Sequence, residues 1–370
     1  MIVYRKGKIG ENDEIVKTIN AGFSDVRDNL NFQLTMPKVY KKEGLEHHTL
    51  VCVDKDDFLG AVTVWPTHFK VLNQTLDMAY IGSVAVKIEH RGQGIMKKMM
   101  DLVLSEIKEN NYDLAILSGQ RQRYEYFGFY QFGFLYEFVF NKQNVKHTVK
   151  DDKNYSFREI LNEDDEDLTN IYDLYIKRLF VARPKNNFYD YLKSRGLKVF
   201  VILKDDKFIG YYLIKNEEVI HELELINLNE VNLVLKGILE FHNILEVGII
   251  TLPFEVNKFR VLNTVTESFK IYTKDLARIY NFETTFEKLM KLSNQVDKLE
   301  EGVLLIEVEE YGTLKFVVDS SIKVIKTNEK ANIKLTKREM TALTTAHSNL
   351  VLKYKNWFPL LVSVPYADSF

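Results

Sequence analysis

Cysteine is nearly absent. Cys52 is the one thiol in 370 residues, so no intrachain disulfide can form. It sits in the apolar run Leu50-Val51-Cys52-Val53 and reads as a small buried strand residue rather than a nucleophile. Charge of either sign is not in excess: 50 Lys+Arg against 52 Asp+Glu give a formal charge of −2. That balance excludes a nucleic-acid coat and a polybasic membrane patch. No apolar segment approaches the ~20 residues of a bilayer span. The opening Met1-Ile2-Val3-Tyr4-Arg5-Lys6 lacks the apolar core of a signal peptide. A reducing, cytoplasmic setting is the expectation, with secretion lacking a visible signal as the other route. The eight histidines are scattered, and His221-Glu222 has no second His at helical spacing, so no metal is expected. There are only six prolines and no Pro- or Ser-rich linker, which predicts packed domains rather than beads on a string.

What is present is globular material. Hydrophobic residues make up 46% and charged residues 28%, enough for a sizeable core. At ~150 residues per domain the length predicts two or three domains. The first stretch reads β-α-β-β-β-α-β-α-β. Ile15, Ile19 and Phe23 mark a helical stripe, Leu50–Val53 and Phe58–Val64 a hairpin, and Met78–Val86 a strand. A helix is expected from about Gly92 to Glu109, with Ile95, Met99, Leu102, Val103 and Ile107 at period 3.6. Phe132–Phe140 is expected to close this unit. At an offset of 150 residues, Val201 to Gly210 repeats the strand, acidic turn, strand and glycine of Val51 to Gly60, which hints at two copies of one fold. From about Phe282 the order changes to helix, three strands and a second helix, an α+β pattern.

The chemistry-bearing signal is Val84-Ala85-Val86-Lys87-Ile88-Glu89-His90-Arg91-Gly92-Gln93-Gly94-Ile95-Met96. A strand ends, a basic glycine loop follows and a helix begins. Unpaired N–H groups at a helix start can hold a pyrophosphate. Gly92 and Gly94 permit close approach, and Arg91 adds a fixed cation. Alone, such a loop is more often a plain turn. Downstream, Tyr124 stands four residues before the Gly128-Phe129 pair.

Together these elements resemble the GNAT acetyltransferase superfamily, whose Arg/Gln-x-x-Gly-x-Gly/Ala loop binds the pyrophosphate of acetyl-CoA. Met96 departs from the small residue at the last loop position. The whole chain is similar to the Eis-type (enhanced intracellular survival) group. That resemblance implies the α+β fold class: tandem GNAT folds, the first active and the second degenerate, followed by a domain like a sterol carrier protein (SCP2-like, α/β). The implied boundaries are 1–148, 149–280 and 281–370. It also implies acetyl-CoA as co-substrate at Val84, Ala85, Val86, Arg91, Gly92, Gln93, Gly94, Ile95 and Met96. Tyr124 is implied to protonate the departing thiolate, and the terminal carboxylate of Phe370 to act as general base. The apolar run Trp357–Val362 before the end would be costly to leave in water, which fits a docked tail and fits equally a final core strand followed by four dangling residues. The second copy, whose strand Glu222–Ile226 meets no Arg-Gly-x-Gly loop, is not expected to bind CoA.

The resemblance implies a small-molecule amine as partner, aminoglycoside-like and polycationic, and a homo-oligomer, specifically a hexamer. No nucleic acid or membrane is expected to bind. A polycation calls for acidic groups at the cleft, for which Asp25 and Asp28, in the loop after the first helix, are candidates. A solvated loop is the plainer reading of both. The alternative function is an acyl-CoA- or lipid-binding sensor or interaction protein without transferase activity.

Overall fold

The computed structural model describes residues 1–25, 30–71, 73–144, 154–178, 181–346 and 356–370. The first unit contributes β1 (Ile2–Lys6), α1 (Asn12–Phe23), α2 (Phe32–Thr35), α3 (Pro37–Tyr40), β2 (Thr49–Asp54), β3 (Asp57–Val71), β4 (Gln74–Val86), α4 (Ile95–Glu109), β5 (Leu114–Leu117), α5 (Arg121–Glu125) and β6 (Tyr130–Phe132). The second contributes β7 (Leu135–Asn141), β8 (Tyr155–Glu159), β9 (Lys198–Lys204), β10 (Lys207–Lys215), β11 (Val219–Leu225), β12 (Glu246–Thr251), β13 (Ser268–Tyr272) and β14 (Asp275–Ile279). Two seven-stranded sheets result, in the orders β1-β2-β3-β4-β5-β14-β6 and β13-β7-β12-β11-β10-β9-β8.

The repeat seen in the sequence is a repeat in space. In β2–β3, Val53 faces Phe58 and Cys52 faces Gly60, so Leu59 slips out of register. In β9–β10, Leu203 faces Phe208 and Ile202 faces Gly210, so Ile209 slips likewise. Each bulge ends on a glycine because the next strand crowds it. A methyl on Gly60 would meet the Ala85 carbonyl oxygen at 2.8 Å, and one on Gly210 would meet that of Glu224 at 2.2 Å.

The two sheets exchange strands. The segment Phe132–Phe140 does not close the first unit as one strand, contrary to expectation. It breaks at Gly133, held at φ +67°, and β7 crosses to the second sheet, pairing with β12 and β13. Phe138 and Phe140 are fully buried there, a larger apolar return than an edge of the first sheet offers. The vacant place is taken by β14, which runs antiparallel between β5 and β6.

The third region forms a four-stranded sheet from β15 (Gly302–Val308), β16 (Gly312–Val318), β17 (Ile322–Thr327) and β18 (Ile333–Leu335), in the order β17-β16-β15-β18. The helix Phe282–Val296 lays Phe286, Leu289, Met290 and Leu292 into the same core as Leu304, Phe316 and Trp357. That core is continuous with the α1 side of the first sheet. No helix among the described residues is long and apolar enough to cross a membrane.

Candidate active site

A cleft opens where β4 leaves β5. The two strands pair in parallel only through Met78–Tyr80 and Leu114–Ile116. Beyond this, Ser83 and Val84 oppose the single residue Val62 of β3, a bulge with Ser83 at φ +49°. Bulges bend a strand and re-aim its edge. Among the described residues the β5-side edge of β4 beyond Tyr80 therefore has no strand partner. The resulting cavity, of about 860 Å³, is lined by Val84, Val86, Arg91, Gly92, Gly94, Ile95, Met96, Tyr124 and Phe370 among others. The Ser83 hydroxyl lies buried in its wall.

The loop before α4 is built for close approach. Gly92 and Gly94 have φ of +80° and +78°, a region costly for residues with a Cβ. That is why the helix starts at Ile95 and not at Gly92 as expected. Open space lies above both glycines. Among the described residues no side chain caps the helix at Gly94, and Gly94, Ile95 and Met96 border the cavity, so the first N–H groups are available to an anion there.

Arg91 is held in place. Its Nη1 and Nη2 donate to the two Asp25 carboxylate oxygens at 2.6 and 3.0 Å, and Nη2 also donates to the Gly22 carbonyl at 2.7 Å. The Arg91 hydrogen bonds keep the Asp25 carboxyl below its ordinary pKa. Asp25, expected on the acceptor side, thus serves the loop. Asp28 lies outside the described residues. Two further candidates do not reach the cleft with their side chains. Ala85, 2% exposed, packs toward α1 against Gly22, because alternation along β4 turns it to the opposite face from Val84 and Val86. Gln93 is exposed in the loop and outside the cavity lining. Met96 is half-buried and takes part in the wall.

Tyr124, on α5, is 7% exposed. Its ring lies over Gly119, where a methyl would meet ring carbon Cε2 at 2.5 Å, and edge-on to Phe129 at 6.3 Å. Burial raises the pKa of its hydroxyl, so it is protonated near neutrality.

Phe370 reaches the same cavity from the far end of the chain. Its ring lies on Gly82: a methyl there would sit 1.7 Å from ring carbon Cδ1. Tyr40 meets the ring edge-on and Tyr80 stacks on it, each at 6.4 Å. A set of cations grips the residues before it. The fully buried Lys38 donates to the carbonyls of Ala367 and Ser369, both at 2.8 Å. Arg183 donates through Nε and Nη2 to Asp368, each at 2.8 Å, and also pairs with Glu222. Arg195 donates to the Phe370 carbonyl oxygen and lies over the Tyr366 ring at 4.6 Å. Tyr366 in turn stacks on His221 at 3.9 Å.

Several of these residues are invisible in the sequence pattern. Lys38, Arg183 and Arg195 carry no motif; the sole hint is Lys38 between the apolar residues Pro37 and Val39. Asp275, brought in by β14, accepts from Ser118 at 2.6 Å and Tyr80 at 2.8 Å. It braces the wall on which Phe370 rests. No group of three or more His, Cys, Asp or Glu among the described residues is placed to hold a metal.

Residues 3–135 match the family model described as an acetyltransferase (GNAT) domain. That segment is similar to GNAT acetyltransferase domains. The chain thereby carries transferase machinery; the glycine loop and Tyr124 fall within the matched segment, while Arg195 and Phe370 reach the same cleft from outside it. No curated protein matches the chain in sequence. Solved structures align over nearly all of it. A GCN5-related N-acetyltransferase from Anabaena variabilis is 16% identical, covering 94% of this chain and 90% of that one at a TM-score of 0.67. A probable N-acyltransferase of unknown function from Enterococcus faecalis is 17% identical, covering 93% and 89% at 0.66. Eis1 from Mycobacterium abscessus is 12% identical, covering 100% of each chain at 0.67. At these identities the likeness is one of fold: GNAT-like mixed α/β sheets that fit a tandem arrangement.

Proposed function

We propose that the protein is an acetyl-CoA-dependent N-acetyltransferase acting on a small-molecule amine. The observation that carries this reading is one cavity bordered by the Gly92–Gly94 helix start, Tyr124 and Phe370. Acetyl-CoA would supply the acyl group as a thioester. The N–H groups at the start of α4 and Arg91 would face its phosphates. The unpaired edge of β4 at Val84–Val86 would meet its pantetheine arm as a neighbouring strand would.

The acceptor amine must lose a proton before it attacks, since an alkylamine has a pKa of ~10. The Phe370 carboxylate, with Phe370 as the last residue, would take that proton directly or through one water. The amine nitrogen then attacks the thioester carbonyl carbon, the carbon–sulfur bond breaks, and Tyr124 would protonate the departing sulfur. An aminoglycoside-like polycation is the acceptor the resemblance implies. A second GNAT copy without CoA binding, boundaries near 148 and 280, a sterol-carrier-like last domain and a hexamer belong to the same proposal. The repeated bulged hairpins and the helix packed across the four-stranded sheet support the first and third of these.

The test is CoA release by purified protein with acetyl-CoA and a panel of amines, with mass spectrometry of the products. A product heavier by one acetyl group is expected. Bound acetyl-CoA with no acetylated amine would overturn the transferase reading in favour of an acyl-CoA sensor. In the same assay Arg91→Ala should raise the KM for acetyl-CoA about 10- to 100-fold, the range a charge-assisted hydrogen bond to phosphate supplies. An unchanged KM would remove Arg91 from the pyrophosphate site.

A further inference from the structure

A nitrogen that becomes an amide gives up two protons. An ammonium loses one before it attacks, and the same nitrogen loses another from the tetrahedral adduct before the carbon–sulfur bond breaks. The tail is proposed to take the first. The second needs an acceptor of its own, and one buried carboxylate beside the cavity takes no part in those steps.

Asp275 is 4% exposed and enters the first sheet on β14. Its Oδ1 accepts from the Ser118 hydroxyl at 2.6 Å and from the Tyr80 hydroxyl at 2.8 Å, and those two hydroxyl oxygens lie 2.7 Å apart. Its Oδ2 is 3.8 Å from the Lys274 ammonium. Tyr80 is fully buried, whereas Ser118 is half-buried and borders the cavity. Ser118 thus joins the buried carboxylate to the cavity. Each hydroxyl has one proton to give. With both given to Oδ1, the Ser118 oxygen keeps a lone pair for a donor arriving from the cavity. A serine hydroxyl alone is a poor base, but a carboxylate behind it lets it accept one proton as it hands on another.

The placement suits the second proton. The next residue, Gly119, lies under the Tyr124 ring, and Tyr80 stacks on the Phe370 ring at 6.4 Å. Ser118 therefore has the proposed acid on one side and the tail on the other. In the adduct, sulfur and nitrogen share one carbon, so the donor to sulfur and the acceptor from nitrogen must stand close together. Resting on the acetyl-transfer reading, we infer that Ser118 takes the second proton from the acceptor nitrogen and passes its own to Asp275. The N–H bond breaks as an O–H bond forms on Ser118 Oγ; the former Ser118 O–H bond breaks as one forms on Asp275 Oδ1. The electron pair left on nitrogen helps to expel sulfur, which Tyr124 protonates. On product release one of the two protons reloads Tyr124 and the other goes to solvent.

The experiment measures kcat, and KM for acetyl-CoA, on the full chain with n-butylamine, spermidine and kanamycin as acceptors. Ser118→Ala and Asp275→Asn should each lower kcat about 10²-fold, the lower end of what a positioned proton acceptor supplies, with KM for acetyl-CoA little changed. The double variant should be no slower than the worse single one, since both cut the same path. Ser118→Thr, which returns the hydroxyl, should recover about tenfold of the loss. Asn at 275 still accepts from Ser118 and Tyr80, so a merely bracing Asp275 would leave Asp275→Asn near wild-type turnover. That result overturns the inference. Wild-type kcat in Ser118→Ala does so too, as does a loss that Ser118→Thr fails to recover; each leaves acetyl transfer standing. No transfer by the wild type to any of the three amines, with acetyl-CoA bound, overturns acetyl transfer itself, and the relay with it.

Discussion

One glycine added after Phe370 is expected to lower kcat/KM by about 10²- to 10⁴-fold, the range general base catalysis supplies. With Phe370 as the last residue, the addition would turn its carboxylate into a neutral amide and move the charge on by about 3.8 Å. Arg195 would still find a carbonyl at Phe370, so docking of the tail should survive. The loss should therefore fall on turnover, with the KM for acetyl-CoA changed little. Gly82→Ala approaches the same point from the other side. Its methyl would sit 1.7 Å from the Phe370 ring, so the ring must leave β4 and take the terminus with it. Both variants should lose turnover together. Full activity in the extended protein would end the assignment of the terminus as base. Full activity in Gly82→Ala would show that the ring need not lie on β4 for reaction.

The second large effect is expected at Tyr124. Tyr124→Phe removes one oxygen and leaves the ring on Gly119 and Phe129, so the fold should hold. A thiolate leaving without a proton donor should cost about 10²-fold or more in kcat. A thioester whose leaving thiol has a lower pKa should recover part of it, because a better leaving group needs the proton less. The sign of the pH effect follows from burial, which raises the hydroxyl pKa above its ordinary value of about 10. The wild-type donor therefore stays loaded through neutral pH and is exhausted only at strongly alkaline pH. Unchanged turnover in Tyr124→Phe would exclude the hydroxyl as the acid.

How much of this is legible in the sequence follows the distance between partners. Strand end, glycine loop and helix are contiguous at Val84–Met96, and Tyr124 follows on the next helix, so local patterning suffices. The repeat at 150 residues is legible because its hairpins carry the same residue types, down to the glycine that ends each bulge. The clamp on the tail is not. Lys38 and Ala367 are 329 positions apart, and Arg183 and Asp368 are 185 apart; no periodicity links such pairs. Asp25 reads as facing solvent or substrate because its loop neighbours are polar, yet its partner Arg91 lies 66 residues on. The crossing of β7 is hidden for a related reason. Its alternation of inward aromatic residues says that the strand is buried on one face, not in which sheet.

That exchange of strands has a consequence for how the protein is made. The edge of β5, the apolar stretch Leu114–Leu117, receives its neighbour only when Asp275–Ile279 has been synthesised, after every strand from β7 to β13. At ~5–20 residues per second a ribosome needs roughly ten seconds or more to cover that interval. Throughout it the emerging chain holds an open, apolar strand edge of the kind that invites wrong pairing. A chain stopped near residue 148 would hold that edge open permanently, with β7 stranded beside it. The two halves are thus released from synthesis as one object, and neither is a part that could be lent to another protein.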